Sequence, residues 1–443
     1  MHPAKLLSLA AAGAALLGLP AAAHAAPPWS PSASANSVGN QVNDPVLRFG
    51  TGETGIATWD SSFTAGDAVD VFSVRAGQAP QGVRAVRSIA VGPLPYGTFR
   101  TLTIRRSALG RDVTRLGFSF GDTTGKLGDA RRLDDVRGLV DVDAAVAPNG
   151  HAAVAYVERH GDGTRTLLSV RRPSSTRFST PRVIRGSGLM RSVAVAVGAS
   201  GRVVVAYNRN ARGSRRVEGR LAGTGDTVRG LQDLGPSLGS SDVQAVVGGG
   251  RVTVAWATRD VGIEQNQPTQ VHAAVVPAGG QAFRDPQELD RGPAGIEQAV
   301  GPLSLGADAR GRAVVSYTLN GPFAGNDART AVRAAVQGAD GRFAAPQTLT
   351  EDGIGGRLAV RADGAAVVPF VEGARFGAAT SPLRAAVLAP GQAQFSGVEE
   401  VAADAADQVP AAAFEPGAAG VPDVLYVARD QAGALSIRFS RRG

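Results

Sequence analysis

Ten polar residues fall in three long, irregular stretches of the chain. Arg259, Asp260, Glu264, Asn266 and Gln267 occupy the first, Asn320, Asn326 and Asp327 the second, and Glu372 and Arg375 the third. Carboxylates facing each other across a cleft can work as acid and base on a glycosidic bond. Arginines beside amides can hold oxyanions and sugar hydroxyls. Other chemistry is sparse. Past residue 25 the histidines are His151, His160 and His272, and their spacing does not make a ligand triplet. No metal and no cofactor is expected. A serine triad whose members are scattered along the chain stays open. With Cys 0, disulfide scaffolds, thiolate metal sites and cysteine nucleophiles are excluded. The Asp60 to Asp70 segment lacks the ligand spacing of a calcium loop.

The N-terminus reads as an export signal. Lys5 precedes the apolar run Leu6 to Leu19, and Ala23-His24-Ala25 has the small-x-small form of a cleavage site. Residues 1–25 are therefore expected to be removed, placing the protein outside the cell. Residues 26–43 are rich in Pro, Ser, Ala and Asn and read as a linker, and 44–443 as one domain. No later apolar stretch reaches the roughly 18 residues of a membrane span.

What would position the polar stretches is a repeat. A turn ending in glycine leads into an apolar run and then to an aromatic six positions on. Gly150 leads to Tyr156, Gly201 to Tyr207, Gly250 to Trp256, Gly311 to Tyr317, Gly364 to Phe370 and Gly420 to Tyr426. Ile56-Ala57-Thr58-Trp59 follows the same plan, and Gly97 with Leu102-Thr103-Ile104 is a copy without the aromatic. A second stretch recurs downstream: Arg177-Phe178-Ser179-Thr180-Pro181-Arg182, Ala282-Phe283-Arg284-Asp285-Pro286-Gln287, and Arg342-Phe343-Ala344-Ala345-Pro346-Gln347. Period-two patterning, β-branched residues and Gly-rich turns make four strands per unit, A to D, with the proline in outer strand D. Units of four strands and about 50 residues predict an all-β fold, a β-propeller of about eight blades, or seven plus a hairpin. The last unit stops after strand C, so residues around Asn36 to Val42 are expected to supply its fourth strand. The recurring aromatics, Trp59 included, are expected to wedge between blades.

On these features the chain resembles secreted β-propeller repeat proteins of actinobacterial type. Ala339-Asp340-Gly341-Arg342-Phe343 resembles the Asp-box turn of sialidase-like propellers. In that family the turn is structural, so the resemblance implies a fold and not an activity.

Strand direction alternates within a blade, so B–C and D–A loops share one face. The three polar stretches are B–C loops. A site, if present, is expected on that face near the central channel. Charge is uneven: residues 26–235 carry 28 basic and 17 acidic side chains, net +11, whereas 236–443 carry 17 and 21, net −4. The basic half, with Arg105-Arg106, Arg131-Arg132, Arg171-Arg172 and Arg215-Arg216, suits an anionic partner such as an acidic polysaccharide or cell-wall polymer. No exposed aromatics interleave with these pairs, which disfavours nucleic acid. The expected function is therefore a monomeric, secreted, non-catalytic propeller that binds an envelope polymer, glycan or protein. Two alternatives stand beside it: a carbohydrate-active propeller hydrolase or lyase, and a structural envelope protein.

Overall fold

The computed structural model describes side chains at Trp29, Ala57, 109, 112–119, 129, 131–210, 215–223, 228–237, 243–258, 270–292, 302–319, 330–373, 380–414, 420–431 and 433–442, and further strand backbone from Ala33 onward. Among the described residues there is no helix. The strands form six four-stranded antiparallel sheets and one nine-stranded sheet. The nine-stranded sheet contains units seven and eight, which meet at the Ala405–Ala428 pair and, between Arg357 and Ala411, at a parallel bridge. The first strand of each unit touches the first strand of the next: Asn43–Phe49, Ala90–Tyr96, Leu139–Val146, Leu189–Val197, Val243–Gly248, Ser304–Ala307, Ala359–Val360 and Ala411–Phe414. The last of these touches Asn43–Phe49 again, so the series returns to its start. This is a β-propeller.

The local rules behind each unit are visible. The turn glycines Gly150, Gly201, Gly250, Gly311 and Gly364 have φ between 75° and 95°, a backbone region open mainly to glycine. At Gly311 a Cβ would also collide with the Gly248 carbonyl of the preceding unit. Strand B, as in Ala152–His160, is buried over most of its length because a neighbouring sheet covers each face. The core therefore lies between sheets. One cluster joins Ala194, Ala196 and Val204 of unit four to Val252, Val254 and Trp256 of unit five. Pro286 and Pro346 stand just before the outer strands Gln287–Arg291 and Gln347–Thr350 rather than inside them, which keeps the missing N–H out of the ladder.

The recurring aromatics are wedges. Tyr156, Tyr207, Trp256, Tyr317, Phe370 and Tyr426 are among the largest fully buried side chains. The side chain of Trp59 lies outside the described residues. Four of the wedges, Tyr156, Tyr317, Tyr426 and Trp256, reach back with their polar tips to strand D of the preceding unit. Tyr156 donates to Asp134, Tyr317 to Asp290 at 2.8 Å, Tyr426 to Asp404 at 3.2 Å, and Trp256 Nε1 to the Pro236 carbonyl at 3.1 Å. Burial and the neighbouring carboxylate push the Tyr156 and Tyr317 phenols well above their ordinary range. In units six and eight the strand C partner of the tyrosine is an arginine on the same aspartate: Arg333 with Asp290 at 3.0 Å, and Arg438 with Asp404 at 3.5 Å. Unit four reverses the signs. Tyr207 faces Glu218 on strand C, and Arg185 supplies the charge from the preceding unit, 3.5 Å from Glu218.

Unit eight takes its outer strand from the other end of the chain. Ala33–Ser37 pairs with Leu435–Arg441, overlapping the expected segment at Asn36 and Ser37. Just upstream, Trp29 bridges Arg442 as Phe343 bridges Gln337 in unit six. Ala33 opposes Phe439 as Gln347 opposes Ala334, so Trp29 occupies the register position of the recurring phenylalanine.

Candidate functional site

The phenylalanine and the glutamine of the second recurring stretch meet across neighbouring units. Gln287 Nε2 donates to the Phe343 carbonyl at 2.8 Å, and its Oε1 accepts the Phe343 N–H at 2.9 Å. Gln347 binds the Phe395 peptide in the same way at 3.0 and 2.8 Å. Gln232 Oε1 accepts the Phe283 N–H at 2.7 Å. A primary amide suits this position because one side chain supplies both a donor and an acceptor to one residue's backbone. The phenylalanines so held are buried: Phe283 is 9% exposed, Phe343 5% and Phe395 6%. At the seventh junction Glu399 takes the amide's place. It accepts Trp29 Nε1 at 3.1 Å and Arg442 at 2.7 Å.

Two junctions break this pattern: at the third, Arg182 stands where Gln287 stands and donates to the Gly223 carbonyl at 3.1 Å, and the second departs further. In Ala130-Arg131-Arg132-Leu133-Asp134, Arg131 stands where Gln287 stands in Pro286-Gln287-Glu288-Leu289-Asp290. A guanidinium has donors only, so Arg131 cannot clamp a peptide from both sides. It donates instead to the Thr176 carbonyl at 3.3 Å. Phe178, the phenylalanine of unit three, is left half-buried and meets Phe118 edge-on, centroids 5.1 Å apart at 67°. A groove of about 510 Å³ opens here, lined by Phe118, Arg131, Arg132, Leu133, Thr176, Arg177 and Phe178.

The groove is cationic. Three guanidiniums line it and, among the described residues, no carboxylate does. The nearest acid in its charge network, Asp135, is shared: Arg115 contacts it at 2.8 Å and Arg132 at 3.1 Å. The Arg115 guanidinium holds the Asp135 carboxyl below the usual carboxylate range. Arg177 has no acidic partner among the described residues. The arrangement can hold an oxyanion by paired N–H donors beside a partly open aromatic ring.

A second group of carboxylates lies on the innermost strand of unit three. Asp141 and Asp143 share one face, and each reaches the innermost strand of unit four. Asp141 accepts the Val193 N–H at 2.8 Å and Asp143 the Val195 N–H at 2.7 Å. They also accept the N–H groups of Val142 and Ala144. Burial pushes Asp143 up to about 7, against those hydrogen bonds and with Asp141 adding to the rise. Both carboxylates thus satisfy an inner strand edge that would otherwise present bare N–H groups. In unit six Ser304 does the same for Leu358 at 3.0 Å.

Of the ten residues expected to form a site, Arg259, Asp260, Glu264, Asn266, Gln267, Asn326, Asp327 and Arg375 lie outside the described residues. Asn320 ends a strand opposite Thr330, and its side chain also lies outside. Glu372 is described: it binds Arg384 at 3.1 Å, and Arg384 also binds Glu400 at 3.0 Å. The groove is on the C–D turn side of the ring, where the sequence shows only short turns. Arg131-Arg132 stood out in the sequence as a basic pair. The absence of an aromatic beside it is a property of the linear order alone, since the fold brings Phe178 to it from the next unit. The recurring glutamine is replaced by arginine here but also at Arg182 of the next unit, so the replacement alone would not have singled the groove out.

No family model matches the chain, and no curated protein sequence matches it. Solved structures are similar in fold. A polysaccharide lyase described as an ulvan lyase of a new family has a TM-score of 0.53 and 9% identity, over 93% of this chain and 95% of the other. A second polysaccharide lyase has a TM-score of 0.48 at 10% identity, over 83% and 93%. A prolyl endopeptidase has 0.44 at 15%, over 88% of this chain and 53% of its own, so the chain spans about half of that enzyme's length. At these identities the likeness is one of fold.

Proposed function

We propose that this is an exported β-propeller that binds polysaccharide of the cell surface or envelope at the rim groove between units two and three, without turning it over. The observation that carries the reading is the exception at that junction. Amide clamps hold buried phenylalanines at three other junctions, but here an arginine replaces the amide and an aromatic ring stands partly open beside a groove. A cleft with an aromatic wall and a few polar groups is the usual form of a binding site. Export rests on the leader-like residues 1–25, and no helix among the described residues is long and apolar enough to cross a membrane.

The test is retention of the exported protein on immobilised neutral and anionic glycans and cell-wall polymers, with product formation followed in the same wells. Retention that falls at least tenfold in Phe178→Ala, with no product, is the expected result. Retention unaffected by Phe178→Ala would remove the groove from the reading. Product from any glycan would replace binding by catalysis and make the acidic side chains of the long loops the next targets.

A further inference from the structure

Resting on that reading, we infer that the groove recognises an oxyanion substituent, so that its ligand is a polysaccharide carrying sulfate esters or carboxylates rather than a neutral glycan. The inference follows from how the local charges are already committed. Arg131 is anchored to the Thr176 carbonyl, a neutral acceptor, and has no acidic partner among the described residues. Asp135 is one anion shared by two cations, Arg115 and Arg132. Arg177 has no acidic partner among the described residues. Every one of these arrangements leaves positive charge facing the groove, and a neutral sugar would not compensate it. An oxyanion would, because a guanidinium offers parallel N–H donors that match sulfate and carboxylate geometry, with charge-assisted bonds about twice as strong as neutral ones.

The shape of the site argues for polysaccharide over nucleic acid. The groove of about 510 Å³ falls within the roughly 300–1,000 Å³ of pockets that enclose a small ligand. It therefore takes a short segment of chain. A nucleic acid would require a basic stripe with successive aromatic platforms, whereas here one ring, Phe178, is partly open. Asp135 acquires a definite role in this arrangement. It competes with the ligand for Arg132, and so sets affinity without touching the ligand.

The experiment measures affinity of the exported protein for a sulfated galactan, for the same galactan chemically desulfated, for polygalacturonate and for single-stranded DNA, each at low and high salt. The expected pattern is salt-sensitive binding of the sulfated galactan, the polygalacturonate or both, lost by about tenfold or more on desulfation. Preference between the two identifies the substituent as sulfate or carboxylate. Arg177→Ala should weaken binding about tenfold, and Arg177→Lys should recover part of it, since charge remains but the fork is lost. Asp135→Asn should tighten binding, a gain that damage to the fold would not produce. Affinity for the desulfated galactan equal to that for both anionic polymers would overturn the inference while leaving polysaccharide binding in place. No binding of any glycan would overturn both. Binding of DNA as tight as that of either anionic glycan would overturn the choice of polysaccharide.

Discussion

The junction between units five and six and the junction between units two and three use the same positions to opposite effect. At the first, Gln287 holds both polar groups of the Phe343 backbone and the ring is buried. At the second, Arg131 holds one carbonyl and the Phe178 ring is half-open. The strands, the turn and the tyrosine wedge are alike. An arginine also fills this position at the third junction, as Arg182, so what marks the groove is the arginine together with the half-open Phe178 ring. In a repeat fold, where every unit solves the same packing problem, a departure of this kind forgoes the shared solution and needs another reason to be there.

The comparison can be broken at the wedge, the clamp, the inner seam and the groove itself. The largest effect is expected for Tyr317→Ala, which removes a fully buried ring and leaves Asp290 and Arg333 without their phenol. A loss of about 3–5 kcal/mol in denaturant unfolding is expected. A loss near zero would mean the seams are held by backbone contacts alone. Gln347→Ala leaves the Phe395 N–H and carbonyl unpaired and should cost about 1–3 kcal/mol. A cost no larger than that of Arg131→Ala would erase the distinction between sealed and open seams.

The seam between units three and four is closed at its inner end by carboxylates, so its strength should vary with pH where an amide seam would not. The folded protein keeps the Asp143 proton up to about 7, whereas an unfolded aspartate loses it near 3.9. Between about pH 4 and 7 the folded state binds more protons than the unfolded one, so stability falls as pH rises through that window and levels off above it. Asp143→Asn should flatten this dependence in thermal melts from pH 4 to 8. An unchanged profile would assign the dependence to other groups. The smallest effect on stability, and the sharpest test, is Arg131→Gln, which restores the recurring residue. It should change stability by less than about 0.5 kcal/mol while abolishing retention on anionic polysaccharide. Undiminished retention would show that the exception at this junction is not what binds.

Much of the architecture was legible because its causes are local and repeated. The turn glycines, the doubly buried B strands and the aromatic six positions on each follow from short-range rules, and their recurrence makes the pattern stand out from noise. The function of the recurring glutamine was not legible, since its partner lies 56 residues away in the next unit. Nor was the sign reversal around Tyr207, where Arg185 and Glu218 come from different sheets. The candidate loops Thr258 to Thr269, Leu319 to Arg329 and Glu372 to Pro382 were singled out by length and polarity, criteria that report on solvation as readily as on binding. Arg131-Arg132 was visible as charge but not as a site.

What the sequence determined by itself is the fold: a four-strand unit repeated along the chain can bury its apolar strands only by stacking against copies of itself. Where a site could lie was decided by the tertiary structure. Phe118 lies on a strand of unit two and Phe178 in a turn of unit three, and they are brought together at 5.1 Å only by the stacking of those units. The net charge of the groove depends on which guanidiniums Asp135 neutralises. Both are properties of side chains distant in sequence, and chain order carries them only through the geometry of the closed ring.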